Sequence, residues 1–165
     1  MVFKNCIAVF AILVLGFFPG GANAQTGIAL SPVATDSNEP VEVTAENLTV
    51  EQETNTAVFT GNARVVQGQL IFSAQKILVR YNAEQSGIET VEASTNVTFT
   101  NGVEVAEAQS GTYNVGSGTI LLSGNVLLLQ GPNAISGDQL NLDLATNRGQ
   151  MSGNVKTVFV PKTDQ

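Results

Sequence analysis

From Pro40 onward, apolar residues recur at every second position in short stretches, as in Ile77, Val79 and Tyr81. A spacing of two places side chains on one face of a β-strand. Glycine and asparagine separate the stretches, and no run with the period of a helix is long enough to predict one. The pattern therefore predicts an all-β domain over residues 40–160.

A repeat of about 30 residues organises these strands. It is marked by four asparagines spaced 34, 29 and 29 residues apart: Asn62, Asn96, Asn125 and Asn154. A glycine follows the first three asparagines by six residues: Gly68, Gly102 and Gly131. The second unit carries five extra residues, which we place near Asn82 to Gly87. One supersecondary unit is thus stacked on itself, because a single unit cannot bury its apolar face alone.

Each unit supplies about two strands with one apolar face apiece. The outgoing strands present Leu48 and Val50; Ile77, Val79 and Tyr81; Gly111, Tyr113 and Val115; and Leu140, Leu142 and Leu144. The return strands present Phe59, Ala63 and Val65; Ala93, Val97 and Phe99; Leu122, Val126 and Leu128; and Met151, Val155 and Thr157. We expect these faces to converge in a jelly-roll-like sandwich of two antiparallel sheets, with the glycines at the corners and an apolar slot between the sheets.

Such a stack has a first and a last strand whose backbone groups lack a partner on one side. The sequence places these edges at residues 41–50 and 154–160. An unpaired edge can recruit another chain by β-augmentation. The candidate assembly residues on the two edges are Val41, Val43, Val50, Val155, Val158 and Val160.

The first 24 residues have the pattern of a cleavable secretory signal. Lys4 precedes an apolar run from Ile7 to Phe18, and Ala22-Asn23-Ala24 supplies the small residues of a cleavage site. The run has 12 residues, against the roughly 20 of a membrane-spanning helix, although an uncleaved N-terminal anchor is the alternative. Residues 25–39 are predicted to be a flexible leader, and residues 161–165 a short tail.

Composition excludes several classes of function. Without Lys4, the chain has six basic and 14 acidic residues, a net charge of −8, which disfavours nucleic-acid binding. The chain has no histidine, and its one cysteine is Cys6, so histidine-based catalysis and a disulfide in the mature domain are excluded. We expect no cofactor and no metal, and therefore a binding protein rather than an enzyme.

Carboxylate pairs are the remaining candidates for chemistry. Four pairs close in sequence could in principle hydrolyse a glycoside: Glu51 with Glu53, Glu89 with Glu92, Glu104 with Glu107, and Asp138 with Asp143. Asp138, Asn141 and Asp143 together could hold calcium. Solvated strand faces and turns explain the same residues more simply, so we predict no catalytic residue and no metal ligand.

The residues from Glu39 to Val160 resemble the OstA/LptA family of lipopolysaccharide-transport bridge proteins. The resemblance lies in three segments: Pro40 to Glu46, Phe59 to Gly68, and Leu122 to Gly131. Their order and the repeated Gly-Asn and Gln-Gly spacing make it specific, although each motif is short. One departure is Glu46, where the family commonly has aspartate.

The resemblance implies a periplasmic carrier that holds the acyl chains of lipid A between its sheets. It also implies end-to-end stacking with inner-membrane-anchored and outer-membrane jelly-rolls, and with further copies of itself. The interior candidates for lipid contact are Phe59, Val65, Phe72, Ile77, Val79, Phe99, Tyr113, Leu128 and Leu142. Arg64, Lys76 and Arg80 are candidates for contacts with phosphate groups.

Other interpretations stay open at the level of the sequence. The repeat alone is compatible with a structural β-solenoid that polymerises through its edges without lipid. The interior residues alone are compatible with an ordinary closed core. An inner-membrane-anchored relative and an enzyme acting on envelope glycans are the further alternatives.

Overall fold

The computed structural model describes residues 26–31 and 39–161. These residues form eleven strands: β1 (Thr26–Ala29), β2 (Glu42–Thr44), β3 (Asn47–Glu51), β4 (Thr56–Gln67), β5 (Leu70–Tyr81), β6 (Ile88–Thr100), β7 (Val105–Asn114), β8 (Thr119–Gln130), β9 (Asn133–Asp143), β10 (Arg148–Ser152) and β11 (Lys156–Val158). Within the described part of the chain, no helix is long and apolar enough to cross a membrane. The predicted signal over residues 1–24 lies outside the described residues, as does most of the predicted tail.

All eleven strands belong to one antiparallel sheet. Its order is β1-β10-β9-β8-β7-β6-β5-β4-β2, with β3 also paired to β4 and β11 also paired to β9. Neighbours in space are therefore almost always neighbours in sequence, as stacked repeat units require. The five residues added in the second unit fall in the six-residue turn from Asn82 to Gly87 between β5 and β6, as the sequence predicts.

A line of bulges bends this sheet onto itself. The pairing register shifts near the middle of each long strand, for example between Thr60 and Ala63 in β4. At these points two successive residues take positive φ, as in Gly61 (81°) and Asn62 (46°). Because this conformation bends the strand sharply, every long strand contributes to two layers. The all-β, jelly-roll-like prediction is confirmed, with the two facing sheets being halves of one sheet.

We call the two halves the front layer and the back layer. The front layer contains β1, β3, β10 and residues 56–60, 76–81, 88–94, 110–114, 119–123 and 139–143. The back layer contains β2, β11 and residues 63–67, 70–74, 97–100, 105–108, 126–130 and 133–137. The rim is the side opposite the bend, where the strand ends of both layers meet.

Carboxylates fasten the bend at both ends of the stack. Asn62 donates its side-chain amide to Glu46 Oε1 at 2.6 Å, and Asn154 donates to Asp138 Oδ2 at 2.9 Å. A Cβ at Gly61 would stand 2.4–2.9 Å from the Glu46 side chain, so a larger residue is blocked there. The Gly-Asn pairs of the repeat are thus the bend residues, as the sequence predicts.

The leader prediction needs correction for the described residues 26–31. Residues 26–29 form β1, which pairs with β10, and Ile28 and Leu30 are buried at 6% and 8% exposure. A short apolar segment orders here because β10 offers it unpaired backbone groups and Gly149 leaves room for Ile28.

The two edges of the stack differ. The first edge is formed by β2 in the back layer and β3 in the front layer, as predicted. The predicted last edge over residues 154–160 is only partly right, because β11 forms it in the back layer alone. In the front layer β1 covers β10 and becomes the edge itself.

Candidate functional site: the apolar interior and its rim

The interior between the layers brings together all nine of the predicted lining residues. Four lie on the back layer and five on the front layer, and Phe59 is partly buried while the others are at most 5% exposed. The back-layer residues are Val65, Phe72, Phe99 and Leu128; the front-layer residues are Phe59, Ile77, Val79, Tyr113 and Leu142. Side chains of both layers therefore form one continuous apolar cluster.

The interior is filled by its own side chains. Phe72 and Phe99 meet edge to face, with ring centroids 6.3 Å apart and planes at 71°. The void beside them, bounded also by Val65, Tyr113 and Ile120, measures only about 10 Å³. A void of this size is at the limit of what one water molecule needs. The expectation of an open slot is therefore wrong for this conformation, and anything of acyl-chain size can enter only if the layers separate.

A buried hydrogen bond joins the layers at the rim. The Tyr113 hydroxyl, at the end of front-layer strand β7, donates to Gln67 Oε1, at the end of back-layer strand β4, at 2.9 Å. Gln67 donates its Nε2 to the carbonyl of Glu39 at 3.1 Å. Burial raises the pKa of the Tyr113 phenol, so this group stays a neutral donor.

Residues 30 and 31, which follow β1, reach the rim, where Ser31 contacts a buried carboxylate. Ser31 donates its backbone N–H to Glu104 Oε1 at 2.9 Å, and Glu104 is 1% exposed. Asn101 donates to the other carboxylate oxygen. Gln130 donates its Nε2 to Glu104 Oε1 at 3.3 Å and to the Ala29 carbonyl at 2.8 Å. Front-layer strand β1 is thereby tied to the back-layer rim.

Two opposing effects set the pKa of Glu104. Desolvation raises the pKa of this carboxyl, but the hydrogen bonds from Ser31, Asn101 and Gln130 together outweigh it, so the pKa lies below its ordinary value. A carboxylate of this kind stabilises the fold above the ordinary glutamate range, and the contribution is lost as the pH falls through the lowered folded-state value.

We expect acid to loosen residues 26–31. Hydrogen-exchange protection of the Leu30 and Ser31 amides, corrected for intrinsic rates, should fall between pH 7 and about pH 3. In Glu104→Gln the charge-assisted bond is replaced by a neutral one about 1 kcal/mol weaker, so protection at pH 7 should be about fivefold lower and less dependent on pH. Exposed Glu107→Gln is the matched control. Unchanged protection in Glu104→Gln would contradict this role.

One end of the interior is open. Leu48 and Val50 on β3 share their face with Phe59 and Ala57, yet they are 56% and 60% exposed because no further strand covers them. A pocket of about 280 Å³ lies beside them, lined also by Thr56 and Tyr81 among others. The opposite end is closed in the front layer by β1.

The three predicted phosphate contacts lie on the outer faces of the layers. Arg64, Lys76 and Arg80 alternate with buried residues of β4 and β5, so none of them points into the interior. Arg80 stands near the rim, and its guanidinium lies 3.8 Å from a Glu92 carboxylate oxygen. Arg64 and Lys76 lie close to the bend.

The carboxylate pairs are not brought together as a catalytic or metal site. Glu104 faces inward to its hydrogen-bond partners, whereas Glu107 is exposed. Asp138 is bonded to Asn154 at the bend, and Asp143 accepts from the Thr146 amide at 3.0 Å. Across residues 26–31 and 39–161, no three acidic, histidine or cysteine residues are grouped to hold a metal ion.

The hydrogen bonds across the rim were not predicted from the sequence. Gln67 and Gln130 occupy the same position of the repeat, one residue before its glycine, and both form hydrogen bonds across the rim, Gln67 with Tyr113 and Gln130 with the Ala29 carbonyl. The recurrence of glutamine at this position of the repeat was the signal that could have indicated a shared role. Glu104 and Ser31 gave no comparable signal, because their contact spans 73 residues.

An all-β sandwich with an apolar core and a hydrogen-bonded rim places the protein in the class of jelly-roll domains. Residues 42–148 match the family model described as LptA/(LptD N-terminal domain) LPS transport protein. The chain belongs to this family of lipopolysaccharide-transport proteins, as the resemblance in the sequence indicated.

Individual relatives agree with this assignment. The chain is 32% identical to the lipopolysaccharide export system protein LptA of Haemophilus influenzae, over 76% of this chain and 80% of that protein. It is 27% identical to LptA of Escherichia coli K12, over 78% and 75%. It is 30% identical to an uncharacterised protein of Rhizobium meliloti, over 94% and 91%.

A solved structure shares the fold. LptH of Pseudomonas aeruginosa, described as the LptA-homologous periplasmic component of the lipopolysaccharide transport device, superposes with a TM-score of 0.68. The alignment covers 77% of this chain and 99% of LptH, at 15% identity.

Proposed function

We propose that this protein is a periplasmic, non-enzymatic carrier that moves lipopolysaccharide from the inner to the outer membrane with its acyl chains held between the two layers. The observation that carries the proposal is the interior itself. Nine apolar lining residues from both layers face one another without a buried charge among them. Family membership supplies the substrate class, and the interior supplies a place for its apolar part.

Entry of acyl chains requires the layers to part along the rim. Among residues 26–31 and 39–161, the hydrogen bonds across the rim include the Tyr113–Gln67 bond and the bonds of Glu104 and Gln130 to residues 29–31. Each neutral bond contributes about 0.5–1.5 kcal/mol net, and a bond to a charged group about 1.5–3. A ligand that covers the exposed apolar faces can therefore offset the free energy lost when these hydrogen bonds break.

The free energy gained by burying an acyl chain is large compared with that of these hydrogen bonds. At about 0.8 kcal/mol per buried CH₂, one 14-carbon chain gains on the order of 10 kcal/mol gross when it leaves water. An exposed ion pair contributes roughly 0–1 kcal/mol. A protein of net negative charge can therefore bind an anionic glycolipid through its chains.

Head-group phosphates would remain outside the layers, where basic residues are available. Arg80 near the rim is the best placed of them, and its partner Glu92 holds it only through an exposed pair. Arg64 and Lys76 are placed for a weaker, longer-range contribution.

The two edges support stacking with partner jelly-rolls by β-augmentation. Unpaired backbone groups run along β2 and β3 at the first edge and along β11 at the last, and their exposed apolar residues include Val50, Val158 and Val160. Inner-membrane-anchored and outer-membrane jelly-rolls, and further copies of this chain, are the partners that this geometry suits.

Mass spectrometry of protein isolated from a Gram-negative periplasm tests the carrier function. Lipid A species should co-purify in stoichiometric amounts and disappear after exhaustive detergent exchange. Polymers that carry no lipid would instead favour the structural β-solenoid and overturn the proposal.

A further inference from the structure

We infer that β1 is an internal cap on the assembly edge, a stand-in for β3 of a second copy that must leave before two copies can pair across both layers. The inference rests on the stacking proposed above. It concerns what regulates that stacking, and its partner is a second copy of this chain.

The repeat specifies what belongs beside β10. Strand β4 carries the bend at Gly61 and pairs on one side with β5. The strand formed by β10 and β11 carries the equivalent bend at Gly153, 92 residues later, and its corresponding side has no complete partner. The strand formed by β2 and β3 is equivalent to β5, with Glu46 matching Gln75. The first edge of a second copy is therefore the strand that would continue the repeat.

The register of this seam follows from the pairing within the chain. Thr56 pairs with Arg80, and Val79 with Ala57. Transferred by the repeat offsets, these pairs place Glu51 of a second copy opposite Arg148, and Val50 of a second copy opposite Gly149.

Strand β1 occupies this register. Ile28 pairs with Gly149, the position that the repeat assigns to Val50 of a second copy. Both are β-branched aliphatic residues on the inward face. The match extends past the strand: Leu30 donates its N–H to the Asn147 carbonyl at 3.0 Å, just as Tyr81 donates to Asn55 at 3.0 Å within the repeat. β1 thus reproduces both the pairing and the turn contact of a repeat strand.

Charges at the seam favour a second copy over β1. In the derived register Glu51 stands directly opposite Arg148, a favourable cross-strand pair. β1 offers Ala29 at this place. A second copy also pairs its β2 with β11, which β1 does not reach. The incoming edge therefore gains contacts in both layers, whereas the cap is confined to one.

Departure of β1 would also join the interiors. Ile28 and Leu30 cover the front-layer end of the core, where Leu142 and Met151 are fully buried. Replacing them by β3 of a second copy, whose own inward face borders the open end, makes one apolar path through two copies.

The test weakens the cap and measures association. In a Cys6→Ser background, Ile28→Asp puts a carboxylate against the core, and Gly27→Asp puts the same charge on the exposed face of the same strand, opposite Gln150. Sedimentation velocity should show at least tenfold tighter self-association for Ile28→Asp than for Gly27→Asp. Equal association of the two variants overturns the cap.

A reversible disulfide that holds β1 against β10 tests the same inference. A Cβ at position 149 lies 3.4 Å from Ile28 Cβ, close to disulfide geometry, so Ile28→Cys with Gly149→Cys can pin β1. The oxidised protein should form no seam in the front layer, and reduction should restore it. Association that is indifferent to oxidation overturns the cap.

Interchain disulfides separate failure of the cap from failure of stacking. Glu51→Cys with Arg148→Cys reports the front layer, and Val43→Cys with Thr157→Cys reports the back layer. If the back-layer bridge forms while Ile28→Asp changes nothing at the front, stacking stands and the cap is wrong. If neither bridge forms in any variant, stacking itself is wrong, and the cap with it.

Discussion

Replacing Phe99 by aspartate should abolish lipopolysaccharide binding. Phe99 is 4% exposed and meets Phe72 inside the interior, on β6 midway along the stack of strands. In the free protein, parting of the layers can hydrate the new carboxylate, but bound acyl chains would enclose it. We expect a loss of at least about 3 kcal/mol, which is 100-fold or more in affinity.

The control for this variant is Leu129→Asp. Leu129 lies on the same layer, faces outward at 39% exposure and pairs with Val105 and Ala134, so the added charge stays solvated. Affinity measured by titration with fluorescent lipopolysaccharide, with thermal unfolding of both variants, separates loss of the site from loss of the fold. A folded Phe99→Asp that binds as tightly as Leu129→Asp would contradict the interior as the lipid site.

Fastening the rim should block lipid uptake. Gln67→Cys and Tyr113→Cys, in a Cys6→Ser background, replace the pair whose hydrogen bond closes the rim. A short bifunctional thiol reagent then holds the layers together, because the two side chains reach toward each other from opposite layers. We expect the cross-linked protein to take up lipid at least about tenfold less, because the link prevents the layers from separating. A tenfold loss of uptake corresponds to about 1.4 kcal/mol of binding free energy.

Each single cysteine variant treated with the same reagent is the control. The untreated double variant sets the reference level of uptake, because it lacks both the closing hydrogen bond and the Tyr113 side chain. Uptake that survives cross-linking would show that lipid does not enter by separation of the rim.

The periodicity of the sequence was sufficient to predict the layers. Alternation at Ile77 and Val79, or at Val126 and Leu128, reflects burial of one strand face, which is a local property of the chain. The repeated Gly-Asn pairs marked the bends for the same reason, because two successive positive-φ residues suit glycine and asparagine.

Other features depended on contacts that no local pattern records. β1 contains few apolar residues and becomes a strand only because β10, more than 100 residues away, offers it backbone partners. The bond from Tyr113 to Gln67 spans 46 residues. The filling of the interior depends on side-chain volumes and on the distance between the layers. The period of the apolar residues predicts which way they point, but it does not predict the space left between them.

The most direct test of the lipid path uses two adjacent leucines of β8. Leu128 points inward at 1% exposure and Leu129 outward at 39%. A photoreactive diazirine amino acid is placed at one position or the other, and cells are irradiated before the protein is isolated. We expect cross-links to lipopolysaccharide from position 128 and almost none from position 129. Equal labelling of both positions, or labelling from 129 alone, would contradict transport of the acyl chains between the layers.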